Sequence, residues 1–323
     1  MYAALLDVLA DDLDVGGPTR EVLAGHEDDP GPSALGLRLL GSVHRLVLTG
    51  RAPALARYYP TAGGRFDLGP AAAAVLQLIA DDPDAVREWL DRAPQTNEVG
   101  RSAPLYGGLL QLPWELPVRL FEIGASGGLN LRADRYAYVA RGGVLGEAAS
   151  GVRLDPAWGE GPVSRPVRIV ERVGCDLSPI GVVEGRVALT AYVWPDQTTR
   201  HQRLAAALDV AAENPAEVRG EDAVTFVNGI ELRPGTVTVL WHSVMFQYLT
   251  PDDQRTVRGR IAGLGAEATS EAPFAHVAFE PSRRTPDADH EFLIRLETWP
   301  SGESRIIGSA PPHGLPVTWD RDG

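Results

Sequence analysis

The sharpest chemical signal in this sequence is an acid placed two residues before a run of small residues: Leu120-Phe121-Glu122-Ile123-Gly124-Ala125-Ser126-Gly127-Gly128-Leu129-Asn130. Small residues after an apolar run let the backbone pass close to a ligand, and a helix starting behind them would offer unpaired N–H groups to it. A second signal is Arg172-Val173-Gly174-Cys175-Asp176-Leu177-Ser178-Pro179, an apolar run that ends in an acid. A carboxylate at a strand tip accepts both hydroxyls of a ribose, which neutral side chains do less well. The competing reading of Asp176 is a helix cap ahead of a proline.

Two further stretches carry polar groups at strand ends. In Arg219-Gly220-Glu221-Asp222-Ala223-Val224 the acids follow a short apolar segment, where a solvated turn is an equal alternative. Val239-Leu240-Trp241-His242-Ser243-Val244-Met245-Phe246-Gln247-Tyr248-Leu249-Thr250-Pro251 places one imidazole after a β-branched run. His242 would be mostly neutral at neutral pH and able to take a proton from a hydroxyl or amine, or else simply to hydrogen-bond a ligand or the backbone. Tyr192-Val193-Trp194-Pro195-Asp196-Gln197 is rich in groups suited to an acceptor pocket, with Tyr248 assigned to the same pocket. Aromatic core packing is the alternative for Trp194. Thr96-Asn97-Glu98-Val99-Gly100-Arg101 precedes the small-residue run, and Arg101 is suited to pairing with a ligand carboxylate or to a surface or interdomain salt bridge.

These residues need elements to hold them. Helical periodicity runs from Met1 to about Pro113, as in Ala3–Leu9, Leu35–Leu48 and Ala71–Ile79, broken by Gly and Pro clusters. The expectation is an all-helical N-terminal subdomain over 1–113 acting as a lid, and an α/β domain over 114–323. In the second part short apolar runs alternate with helical stretches, the pattern of a mainly parallel sheet with crossover helices. Strands are expected at Val118–Ile123, Val167–Val173, Ala216–Arg219, Thr236–Leu240 and Phe274–Phe279. Helices are expected at Thr199–Ala212 and Pro251–Gly265, a hairpin insertion over about 135–165, and an antiparallel finish from Glu291 to Trp319.

The 323 residues are 44% hydrophobic, enough for one large or two ordinary cores. All 30 basic residues are Arg, and the net charge of −13 argues against a nucleic-acid partner. No apolar run approaches the roughly 20 residues needed to span a bilayer, and the opening residues lack the features of a signal peptide, so a cytoplasmic protein without a membrane partner is expected. The seven His show no i,i+4 pair, so no metal is expected. The single Cys175 fits a reducing compartment and reads as strand packing.

Together the four strand-end stretches resemble class I S-adenosylmethionine-dependent methyltransferases. In that family an acid precedes a Gly-x-Gly-x-Gly-like turn that lies beneath the methionine part of the cofactor, and Gly124, Ser126 and Gly128 occupy the three turn positions. The resemblance implies a Rossmann-like α/β fold, S-adenosylmethionine as cofactor, Glu122, Asn130, Leu177 and Arg101 among the cofactor-binding residues, and Asp176 as the ribose anchor. Asp222 and Ala223 would meet the adenine, and the strand tip bearing His242 would lie beside the transferred methyl. Ser126 departs from the usual Gly, and Glu122 and Asp176 stand 54 positions apart, where a compact unit has roughly 20. The inserted hairpin accounts for the excess.

The implied function is methylation of a small-molecule acceptor. A protein that keeps the cofactor fold without transferring a methyl is the second reading, and an NAD(P)-dependent oxidoreductase the third. The acid before the turn, the absence of a clean Gly-x-Gly-x-x-Gly and the antiparallel finish count against the third. Taken as a whole, the chain also resembles an uncharacterised bacterial family known only as a domain of unknown function. Thr96–Arg101, Glu122–Leu131, Gly174–Leu177, Tyr192–Gln197 and Pro312-His313-Gly314 carry that resemblance.

Overall fold

A computed structural model describes residues 1–92, 94–162 and 165–320. Residue 93, residues 163 and 164 of the expected insertion, and residues 321–323 of the expected second domain lie outside the described residues. The chain divides into two compact units, Met1–Thr96 with Val183–Leu204 and Asn97–Val182 with Ala205–Gly323. The division therefore falls before residue 113, and a mid-chain segment joins the helical unit.

The first unit is helical, with Tyr2–Asp14, Leu35–Leu48 and Leu68–Asp81 as its long elements. Their apolar faces meet in a core that includes Leu5, Leu9, Leu40, Val43, Val75 and Ile79. The mid-chain segment contributes helix Arg186–Ala191, and Tyr192 behind it stacks on Trp89 with centroids 5.8 Å apart. Gly41 makes room for this packing, because a Cβ there would sit 2.6 Å from the Tyr192 ring. His44 is buried in the same unit, donating through Nδ1 to the Ala191 carbonyl at 3.0 Å. Burial drives its pKa down to about 3, which keeps the imidazole neutral.

The second unit is α/β. Helix Ser102–Leu110, expected with the N-terminal subdomain, is buried along its whole length here. Gly107 and Gly108 let it press on the sheet: Cβ atoms there would lie 2.0 Å from Trp319 and 3.0 Å from Val277. The strands are β1 (Val118–Ile123), β2 (Ala137–Ala140), β3 (Gly143–Gly146), β4 (Arg153–Leu154), β5 (Ile169–Asp176) and β6 (Glu217–Gly220). They continue as β7 (Val237–Ser243), β8 (Phe274–Ser282), β9 (Glu291–Trp299), β10 (Glu303–Ala310) and β11 (Thr318–Trp319).

Eight of these form one sheet in the order β11-β10-β9-β8-β7-β1-β5-β6, and β2, β3 and β4 form a small separate sheet within the expected insertion. The pairs from β6 to β8 are parallel, whereas β8-β9, β9-β10 and β10-β11 are antiparallel. The protein is thus α/β with a mostly parallel mixed sheet, and its antiparallel finish is three strands. β1 and β7 are buried at every residue, as expected of central strands covered on both faces. From β1 the chain builds outward first to β5 and β6 and then, on the other side, to β7 and β8. The order reverses between β1 and β7, and open α/β sheets take their ligands at the carboxyl ends of the strands beside such a reversal.

Candidate functional site

The small-residue run leaves β1 as a tight turn in which Gly124, Ser126 and Gly128 all take the left-handed conformation, with φ of 69°, 53° and 67°. Gly is needed at the first and third positions for space as well. A Cβ at Gly124 would sit 3.0 Å from the Met245 Cβ, and one at Gly128 would sit 2.8 Å from the Val218 side chain. Ser126 adopts its unfavourable φ because both its backbone groups are held: its N–H donates to Asp176 Oδ2 at 3.0 Å, and its carbonyl accepts from the Ile180 N–H at 3.3 Å. Asp176 takes the Ser178 N–H on its other oxygen at 2.9 Å. One carboxylate at the tip of β5 therefore clasps the β1 turn, and each oxygen keeps a lone pair. Beside it Leu177 is 80% exposed.

Sequence reasoning missed Gly174. It pairs with Glu122 across the β1-β5 ladder, and a Cβ there would lie 2.5 Å from the Ala125 Cβ. Its lack of a side chain lets the turn fold back over β5. Cys175 follows as strand packing, with burial pushing its thiol up to about 12.

Three expected ligand contacts are taken up by the protein itself. Glu122 is 2% exposed and lies beneath the turn, its Oε1 accepting from Trp241 Nε1 at 3.1 Å. Burial raises its pKa to about 8 despite hydrogen bonds from Trp241 and Asn130 and the nearby Arg132. It is therefore a neutral tie between β1 and β7 at neutral pH, set inside the protein and not at the ligand surface. The helix expected after the turn is a 3-10 segment, Leu129–Arg135, and its first N–H is already capped by Asn97 Oδ1 at 2.9 Å. Arg101 reaches the carbonyls of Pro312 at 3.2 Å and Ser243 at 3.4 Å. Gly100 and Gly314 pack so closely that a Cβ on Gly100 would meet the His313 carbonyl at 2.3 Å. Gly100-Arg101 and Pro312–Gly314 thus meet beside the tip of β7, from opposite ends of the unit.

Asp222 caps helix Ala223–Asn228, accepting from the Thr225 N–H at 2.8 Å and its hydroxyl at 2.7 Å. These bonds lower its pKa. Ala223 is buried in the core. Of the acceptor-pocket residues, Trp194, Asp196 and Gln197 fall in the helical unit. Trp194 packs on Tyr2 with centroids 5.6 Å apart, Asp196 pairs with the N-terminal ammonium at 2.8 Å, and Gln197 accepts from Arg200. Tyr248 stands in the α/β unit and is 71% exposed.

His242, next to last in β7, is buried, with Nδ1 donating to Glu280 Oε1 at 2.8 Å. The same oxygen accepts the Met245 and Phe246 N–H groups at 3.1 and 3.2 Å, which fixes the carboxylate and so the ring. Nε2 is left as the acceptor nitrogen. A second pair, unanticipated from the sequence, stands beside it: His276 Nδ1 donates to Glu297 Oε2 at 2.8 Å, and the two imidazole centroids are 5.1 Å apart. Only strand register shows this, since His276 and Glu297 are 21 positions apart and meet across β8 and β9.

Among the described residues no helix is long and apolar enough to cross a membrane. No curated protein matches the sequence. Residues 1–319 match the family model described as "Uncharacterized protein conserved in bacteria (DUF2332)". With almost its whole length covered by that model, the chain belongs to the DUF2332 family of bacterial proteins.

Proposed function

We propose that this protein is an S-adenosylmethionine-dependent methyltransferase of a small-molecule acceptor, built on a Rossmann-like framework. The observation that carries the reading is the Ser126 N–H to Asp176 bond at 3.0 Å. It joins a Gly-rich turn and an acidic strand tip at the carboxyl edge of a sheet whose strand order reverses beside them. Two features fit an adenosyl ligand there. Gly124 is exposed at the start of the turn and offers backbone without a side chain, and the half-buried Asp176 carries an exposed Leu177 at its side. Asp176 would accept the ribose hydroxyls on its remaining lone pairs, Leu177 would cover one adenine face, and Asp222 would flank the base.

When bound, the cofactor supplies a methyl group on a sulfonium, already activated for transfer. The protein's task is then chiefly to position the acceptor and receive its proton. His242 is set for the second role: Glu280 holds its Nδ1–H, so Nε2 is the lone pair that would take a proton from an acceptor hydroxyl or amine. Arg101 and Asn130 hold the walls of the site through backbone and Glu122 contacts. A small acceptor suits the net charge of −13, which disfavours polyanions.

The test is transfer itself. Purified protein is incubated with S-adenosylmethionine labelled in the methyl group and with fractionated bacterial small molecules. Label in a discrete small product, lost in His242→Ala, is the expected outcome. Cofactor binding with no labelled product in any fraction would make this a binding protein and not an enzyme.

A further inference from the structure

We propose that the cavity of about 610 Å³ between β7, β8, β9 and helix Pro251–Glu267 binds a small organic acid that also carries a hydroxyl or amino group. The register of the sheet builds it. His242 and Arg295 both lie opposite Ala278, on its two sides, while Glu297 lies opposite His276. Alternation along β8 then puts His276, Ala278 and Glu280 on one face with them. The volume is that of a small-molecule site.

Two buried acceptors there have no hydrogen-bond partner. His276 donates its Nδ1–H to Glu297, so Nε2 presents a lone pair, and this nitrogen is buried and unsatisfied. Burial lowers the pKa of His276, which keeps that lone pair free of a proton. Glu280 loads three N–H groups onto Oε1 and leaves Oε2 buried with none. Such orphaned acceptors are costly unless a donor arrives, and a hydroxyl or amino group is the donor that fits both.

Two arginines line the cavity, and Arg258 lies over the Phe246 ring with its guanidinium carbon 4.9 Å from the centroid. Arg295 lines the same cavity, half-buried, and forms no ion pair or hydrogen bond among the described residues. A carboxylate would satisfy it. Leu293 and Trp299 give the cavity apolar surface between these polar points. No group of three His, Cys, Asp or Glu able to hold a metal occurs among the described residues, so the two imidazoles are better matched to an organic ligand. The inference stands without the cofactor reading, since it rests on this cavity alone.

Thermal melts of the full chain, with no cofactor added, test it using lactate, malate and serine as probes. Acetate supplies the charge without the donor, and glycerol the donor without the charge. At a hundredfold excess over its dissociation constant, a probe that fits should raise the midpoint by about 3 °C or more. Acetate and glycerol should not. Arg295→Gln, compared with its own ligand-free midpoint because it also removes a charge beside Glu297, should lose most of the rise. His276→Phe should lose it as well. No rise with any probe, an equal rise with acetate or glycerol, or a full rise in Arg295→Gln would overturn the proposal.

Discussion

At the scale of single residues, two carboxyl groups do opposite work from neighbouring strands. Asp176 is half-buried, and both its oxygens accept backbone N–H groups. Removing its charge should be felt by any ligand whose hydroxyls it accepts: Asp176→Asn, which keeps one acceptor oxygen, should weaken S-adenosylhomocysteine binding by roughly 1.5–3 kcal/mol. Calorimetric titration of the folded variant measures this, and an unchanged affinity would remove Asp176 from the ligand site. Glu122 is held neutral by burial, with its pKa raised from an ordinary 4.5 to about 8. The folded chain therefore binds a proton that the unfolded chain loses, so stability falls as pH rises through the window from about 4.5 to 8, by up to about 1.4 kcal/mol per pH unit. Glu122→Gln keeps an acceptor for Trp241 and should flatten that slope in urea melts taken from pH 5 to 8. The types of both acids were legible in the sequence, but their burial was not. An acid two residues before a glycine reads the same whether it faces a ligand or supports the turn from below.

At the scale of elements, glycines set how closely strands and turns approach. Gly128 combines a φ of 67° with a would-be Cβ 2.8 Å from Val218. Gly128→Ala should cost about 1–3 kcal/mol from backbone strain and overpacking together, seen as a lower denaturant midpoint with an unchanged slope. Strand positions were largely readable from apolar runs: Thr236–Leu240 anticipates β7, Phe274–Phe279 anticipates β8, and the antiparallel finish expected from Glu291 begins where β9 does. Helix Pro251–Glu267 likewise starts at its proline, capped by the Thr250 hydroxyl, which accepts the Asp253 N–H at 3.1 Å. The 3-10 segment after the Gly turn was not readable, because its shape follows from the Asn97 cap at Leu129 and from Arg132 reaching back to the Gly128 carbonyl at 2.6 Å. Pairings such as His276 with Glu297 depend on register across a hairpin, which composition alone does not fix.

At the scale of the whole molecule, the helical unit is not one continuous stretch of chain. Val183–Leu204 supplies Ala191 and Tyr192 to a cluster with Trp89, and Gly41 gives the Tyr192 ring its space. A boundary drawn from periodicity alone cannot show this, because the segment reads as one more crossover between strands. A chain truncated to residues 97–323 should accordingly expose that segment: greater dye binding and faster proteolysis within 183–204 are expected than in the full chain. Equal protection of the segment in both would contradict its dependence on the helical unit. The central claim is that the turn after β1 and Asp176 at the tip of β5 bind an adenosyl cofactor, and calorimetric titration of the unmodified protein with S-adenosylmethionine, S-adenosylhomocysteine and NADPH tests it most directly. Micromolar binding of the first two without a signal from the third is the result this account predicts. A signal from NADPH alone, or from none of the three, would contradict it.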